Sequence, residues 1–213
     1  MSKGKITKEM IVSRSASLFN RRGFFGASMS DVMEATGLEK GGIYNHFASK
    51  DELALAAFDH IVEVHSERVK KLVDAGNTCE EKLIGLIEGF QQIVTQPTFE
   101  GGCPLLNCAV ESDDTHPALR ARVRAAIKKI LKAVELIVQR GIETKEFRSE
   151  LAPRVVAHFL FASLEGGILL AKLYSEPHRL EMIAIQLKDY IRSCRTIGFS
   201  DSDKTHHNKG EAL

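Results

Sequence analysis

Proline placement constrains this chain more than any other feature. Pro104, Pro117, Pro153 and Pro177 each stand at the head of a run with helical apolar spacing, and Pro97, the fifth proline, follows the end of another. Proline lacks an N–H and has a fixed φ, so a helix accepts it in the first turn and is broken by it further in. The four therefore open helices: from Pro104 to about Ser112, Pro117 to about Thr144, Pro153 to about Tyr174, and Pro177 to Gly198. Capping residues punctuate the first half of the chain. Thr7 is placed to cap a first helix, with Ile6 and Ile11 as a hydrophobic staple and Gly23 as its stop. Ser28 caps a second helix, with Asp31 at N3 and Gly37 at its end, and a third spans about Lys40 to Phe47. Ser49-Lys50-Asp51-Glu52 opens a fourth that reaches about Ala75, and Thr78-Cys79-Glu80-Glu81 opens a fifth. Alternating β-branched runs flanking Asn-Gly or Asp-Gly turns are missing. The expected fold is all-α, with nine helices and no repeat at solenoid spacing.

The composition is that of a chain with a packed core: 213 residues, 44% hydrophobic and 27% charged. No apolar run reaches the roughly 18–20 residues of a membrane span. The first residues carry charge rather than an apolar secretion signal, so a cytoplasmic protein is expected. Cys79, Cys103, Cys108 and Cys194 lack CxxC spacing and nearby paired histidines, which argues against a zinc site or a disulfide framework. Gly-x-Ser-x-Gly, P-loop, strand-linked GxGxxG and HExxH motifs are all missing. Cys103 and His158 have the types of a nucleophile and a base, but no third group is indicated. Neither an enzyme nor a cofactor-dependent protein is expected.

Charge is distributed unevenly. Residues 1–50 carry a net +4 within a chain of net +1, so the remainder is −3. A basic head on a mildly acidic body suits a polyanion-binding module joined to something else. Within that head, Gly37-Leu38-Glu39 joins two short helices whose Val32, Met33, Leu38, Ile43 and Phe47 are spaced to pack with Leu18 and Phe19. This is the helix-turn-helix arrangement, whose second helix enters the major groove. The exposed positions of that helix are Lys40, Gly41, Gly42, Tyr44, Asn45 and His46. Lysine neutralises phosphate, asparagine reads adenine bidentately, and a tyrosine hydroxyl reaches a phosphate oxygen. Two glycines inside a helix cost about 1 kcal/mol each relative to alanine. They reflect either close approach of backbone to DNA or loose packing.

The stretch from Ser28 to Leu53 resembles the DNA-binding signature of the tetracycline-repressor (TetR) family: a capped short helix, a turn glycine, Lys40-Gly41-x-x-Tyr44-x-His46-Phe47, then Ser49-Lys50. Ala27 stands where the family often has threonine, and Glu39 where serine is common, placing an acid near phosphates. The resemblance covers about residues 7–55. It implies a homodimeric, all-helical regulator, usually a repressor released from a palindromic operator by a small molecule. It also implies that Tyr44 and Lys50 touch phosphates, that Ser28 caps and touches the DNA backbone, and that Lys40, Asn45 and His46 lie nearest the bases. His46 has the alternative of packing on the fourth helix. The expected division is a head over 1–50, an effector and dimerisation body over 51–199, and a polar tail over 200–213.

The body is read more coarsely. Val155–Ala171 is apolar nearly all round, which places it in both a core and a subunit interface. With the last helix (Met182, Ile183, Ile185, Leu187, Ile191) it would form a four-helix dimer contact, as the resemblance implies. An effector pocket between helices five to eight would use Phe90, Phe99, Phe161 and Leu164, with Cys103, Asn107, His158 and Glu165 for polar contact. Gly102-Cys103-x-x-x-Asn107-x-x-x-Glu111 resembles a segment of one branch of the family. Cys103 would cap the helix opened by Pro104, where the positive helix end favours thiolate. Lys172, emerging from an apolar helix, could approach it. Some relatives with this Cys and Lys pattern respond to electrophiles or oxidants, so the resemblance implies Cys103 as a sensing thiol. The alternatives are a buried apolar thiol and a snorkelling lysine.

Overall fold

The computed structural model describes residues 3–113 and 116–196. Among them lie nine α-helices: α1 Lys3–Arg22, α2 Met29–Thr36, α3 Lys40–Tyr44, α4 Lys50–Asp74, α5 Cys79–Thr95, α6 Pro104–Ser112, α7 Pro117–Glu143, α8 Pro153–Tyr174 and α9 His178–Ser193. They form two compact units. The first takes the residues up to Glu67 and Gln92–Lys128, and the second takes Arg68–Gln91 and the residues from Lys129 on. The first unit thus joins the head to most of α4, to α6 and to the start of α7.

In the first unit α1 buries Ile11, Ser15, Ala16, Leu18 and Phe19, the i, i+4, i+7 stripe of an amphipathic helix. The same unit buries Val32 of α2, Ile43 of α3, Phe47, and Leu53 and Phe58 of α4; Met33 and Leu38 are half-buried. Two local expectations are corrected here, at the first and third helices. The first helix begins at Lys3, four residues before Thr7, and Ile6 is exposed, so no staple forms. The third helix ends at Tyr44, with Asn45 as its C-cap. The fourth opens with Ser49 Oγ accepting from the Glu52 N–H at 3.0 Å, while the Glu52 carboxylate reaches back to the Ala48 N–H at 2.7 Å.

In the second unit α8 and α9 pack together. Val156, Leu160, Leu164, Ile168 and Ala171 of α8 and Leu180, Ala184, Leu187 and Ile191 of α9 are buried. Gly167 permits this contact, because a Cβ there would lie 2.7 Å from Leu180 Cδ1. α8 is long and apolar enough to cross a membrane, contrary to the expectation from the sequence, but one side of it is spent on this core. α5 opens on two carboxylates. Glu81 caps from within, accepting the Asn77 N–H at 2.7 Å. Buried Glu146 accepts the N–H groups of Cys79 and Glu80 at 2.9 and 2.7 Å, where the positive helix end offsets its desolvation. α9 begins at His178 and ends at Ser193, earlier than expected, because the chain then pairs Arg195 with Phe147. Gly198 and the tail over 200–213 lie outside the described residues.

Candidate nucleic-acid interface

The head is fixed by local hydrogen bonds that the sequence encodes. Ser28 Oγ accepts from the Asp31 N–H at 3.2 Å, and the Asp31 carboxylate accepts from the Ser28 N–H at 2.8 Å and its hydroxyl at 2.7 Å. Those two bonds, joined by the Arg22 guanidinium, hold the Asp31 carboxyl down to about 2. Gly37 closes α2 at φ 70°, its N–H donating to the Met33 carbonyl, a left-handed cap that glycine adopts without strain. Arg14 Nη1 donates to the Thr36 carbonyl at 2.9 Å. This guanidinium fastens α1 to the carbonyl end of α2.

The turn between α2 and α3 leaves α3 open outward. Lys40, Gly41, Tyr44 and Asn45 are exposed, and Gly42 and His46 are half-buried. Lys40 Nζ sits 5.8 Å from the Tyr44 ring centroid, a cation–π distance that gathers the two groups at one end of the face. A Cβ at Gly41 would meet no atom within 4 Å, and one at Gly42 only Leu38 Cβ at 3.8 Å. Protein packing therefore does not require glycine at either site. Lys50 has a role that the sequence did not reveal. Its Nζ donates to the Ala27 carbonyl at 2.9 Å, tying the start of α4 to the residue before the α2 cap. Arg21 and Arg22 are paired with Glu100 and Asp31, while Lys40, on α3 itself, is exposed.

Two family models match this chain: "Bacterial regulatory proteins, tetR family" over residues 11–57, and "Tetracyclin repressor-like, C-terminal domain" over residues 79–187. A solved TetR transcriptional regulator from Chloroflexus aurantiacus is 41% identical, with 92% of this chain and 98% of that one covered and a TM-score of 0.88. The chain belongs to the TetR family. Its TetR head is the DNA-binding part of a transcriptional regulator, not of an enzyme. The repressor DhaR of a Mycobacterium species is 25% identical over 78% of this chain and 82% of its own. Escherichia coli NemR, solved in its reduced form, shares the fold at 20% identity and a TM-score of 0.75, over 86% of this chain and 95% of its own.

The other expected site residues divide between the two units of this TetR protein. Phe99, Cys103 and Asn107 belong to the first. Cys103 is buried and is the N-cap of α6, with no capping bond from its thiol. The Asn107 amide donates to the carbonyls of Gly101 and Asn20, at 2.9 and 3.2 Å. Phe90, His158, Phe161, Leu164, Glu165 and Lys172 belong to the second unit. Phe90 and Phe161 meet edge to face at 6.3 Å, Leu164 and Glu165 are buried, and Lys172 is exposed. His158 is corrected in placement. The buried stripe of α8 runs through Val156, Leu160 and Leu164, so His158 falls on the exposed side, its Nδ1–H donating to the Arg154 carbonyl at 2.7 Å. The sequence singles out Glu111 only as the end of a motif and gives Glu146 no role, because the partners of both are distant in the chain.

Proposed function

We propose that the chain is a homodimeric cytoplasmic repressor that binds a palindromic operator and is released from it by a small-molecule effector. Lys40, Asn45 and His46 face base edges, Tyr44 and Lys50 meet phosphates, and Ser28 presents the α2 N-terminus to the backbone, with Gly41 and Gly42 allowing close approach. The observation that carries this reading is the open face of α3, where glycines that no packing demands sit beside an exposed lysine, tyrosine and asparagine. The dimer reading is supported by Val155, Phe159, Leu173, Met182 and Ile185, all exposed on α8 and α9. An apolar surface of that kind on a helix pair suits an isologous partner. Such a dimer sets two recognition helices about 34–36 Å apart, one turn of DNA. Light scattering checks the dimer: a species of one chain's mass, 23.6 kDa, at micromolar concentration would contradict it. Selection of bound duplexes from a random pool checks the operator, which should emerge as an inverted repeat.

A second reading turns on Cys103, the N-cap of α6. Burial, aided by neighbouring carboxylates, pushes Cys79 and Cys108 up to about 12, and burial also raises Cys194. Those three are poor nucleophiles at neutral pH. Cys103, itself buried, is singled out instead by its place at the N-terminus of α6 and by the motif shared with one branch of the family, and is the thiol on which an electrophile would act. In this reading modification of Cys103 releases the operator. A Cys103→Ser protein that still releases DNA after electrophile treatment would reject it.

A further inference from the structure

α6 presents Cys103, Asn107 and Glu111 at intervals of four, on one helical face. The last two are occupied with the end of α1. The Glu111 carboxylate accepts the N–H groups of Phe24 and Phe25 at 2.8 and 2.7 Å. These are two successive donors of the turn that follows Gly23, at φ 83°; a Cβ on Gly23 would lie 2.9 Å from Glu111 Oε1. Asn20, buried on the last turn of α1, donates to the carbonyls of Glu100 and Gly102 at 2.8 and 2.9 Å. Asn107 donates to the Asn20 carbonyl at 3.2 Å. Gly101, at φ 107°, lets the loop close on Asn20, since a Cβ there would lie 2.4 Å from its carbonyl oxygen. The turn held in this way runs directly into Ala27, whose carbonyl accepts Lys50, and Ser28, which caps α2.

We infer that Glu111 and Asn107 are positioning residues for operator binding: from α6 they set the α1–α2 turn, and through it the placement of Ser28, Lys50 and α3 on DNA. Neither touches DNA itself. The inference rests on the regulator reading and deepens it, because α6, whose N-cap is Cys103, then reaches the DNA face through a small set of hydrogen bonds. Charge-assisted bonds to two backbone donors are about twice as strong as neutral ones, so losing the charge at Glu111 weakens the hold on the turn.

The second unit supplies a matched control. Glu146 accepts two successive backbone donors in the same manner, but at the start of α5. The test uses the full chain and a duplex enriched from a random pool by the wild type, with a scrambled duplex as reference. Glu111→Gln keeps one acceptor oxygen and loses the charge, and Asn107→Asp turns donors to Asn20 and Gly101 into acceptors. Both should lower the ratio of enriched to scrambled affinity by about tenfold, the scale of one charge-assisted hydrogen bond, while the salt slope of the scrambled duplex stays that of the wild type. Glu146→Gln should lower the melting temperature and leave the ratio alone. An unchanged ratio in either folded α6 variant, or an equal loss in Glu146→Gln, overturns the inference. A wild type that enriches no duplex contradicts the regulator reading instead, which is a different result from an enriched duplex that Glu111→Gln binds as well as wild type.

Discussion

Gly41→Ala separates folding from function in a single substitution. Gly41 lies in the first turn of α3, and the added methyl would meet no protein atom within 4 Å. No clash opposes it, and alanine lowers the entropy of the unfolded chain, so the variant should be more stable by about 0.4–1 kcal/mol. In a chain of 213 residues that corresponds to a rise in Tm of about 1–4 °C. On DNA the sign reverses. If the recognition helix brings its backbone against the groove at this residue, the methyl occupies space needed there, and affinity for an enriched duplex should fall by tenfold or more, about 1.4 kcal/mol per decade. Fluorescence anisotropy across a salt series, beside a thermal melt, reads both effects. The slope of log affinity against log salt should not change, since no cation is removed. A variant that melts higher and binds as well as wild type would refute the argument that the glycines serve close approach.

Other substitutions test separate parts of the structure. Lys50→Met should reduce the salt slope by about 0.9, one phosphate contact, and also lower the melting temperature, because the Ala27 carbonyl loses its donor; a changed slope with an unchanged melt would deny the structural half of that role. The Asp31 carboxyl, held at about 2 rather than 3.8, stabilises the folded head above the higher value, and this contribution is lost as pH falls through the lower one. Asp31→Asn should therefore be less stable than wild type at pH 7, with the difference vanishing in acid melts near pH 2. Leu173→Asp, at a position 71% exposed in the single chain, should yield a folded monomer by light scattering; an intact dimer would place the interface elsewhere.

The head was legible because its determinants are local. Ser28, Asp31 and Gly37 act within ten residues of one another, and four prolines mark helix starts that the structure places within one residue. Reading failed where a local rule competed with continuation. Thr7 has a capping side chain but is tolerated inside a helix, so α1 extends back to Lys3. It also failed where the partner is remote. Glu111 is 87 residues from Phe24, and Glu146 is 67 from Cys79; nothing in the spacing of either acid identifies the backbone donors it meets. His158 was misplaced because an apolar run conceals which side of the helix faces the core, and only packing against α9 decides that.

The open face of α3 is the surface proposed to read DNA. Duplex selection by the purified wild-type chain at low salt tests it most directly. An inverted repeat should be enriched, with an affinity that falls steeply and linearly in log salt. Failure to enrich any duplex in dilute buffer would contradict it.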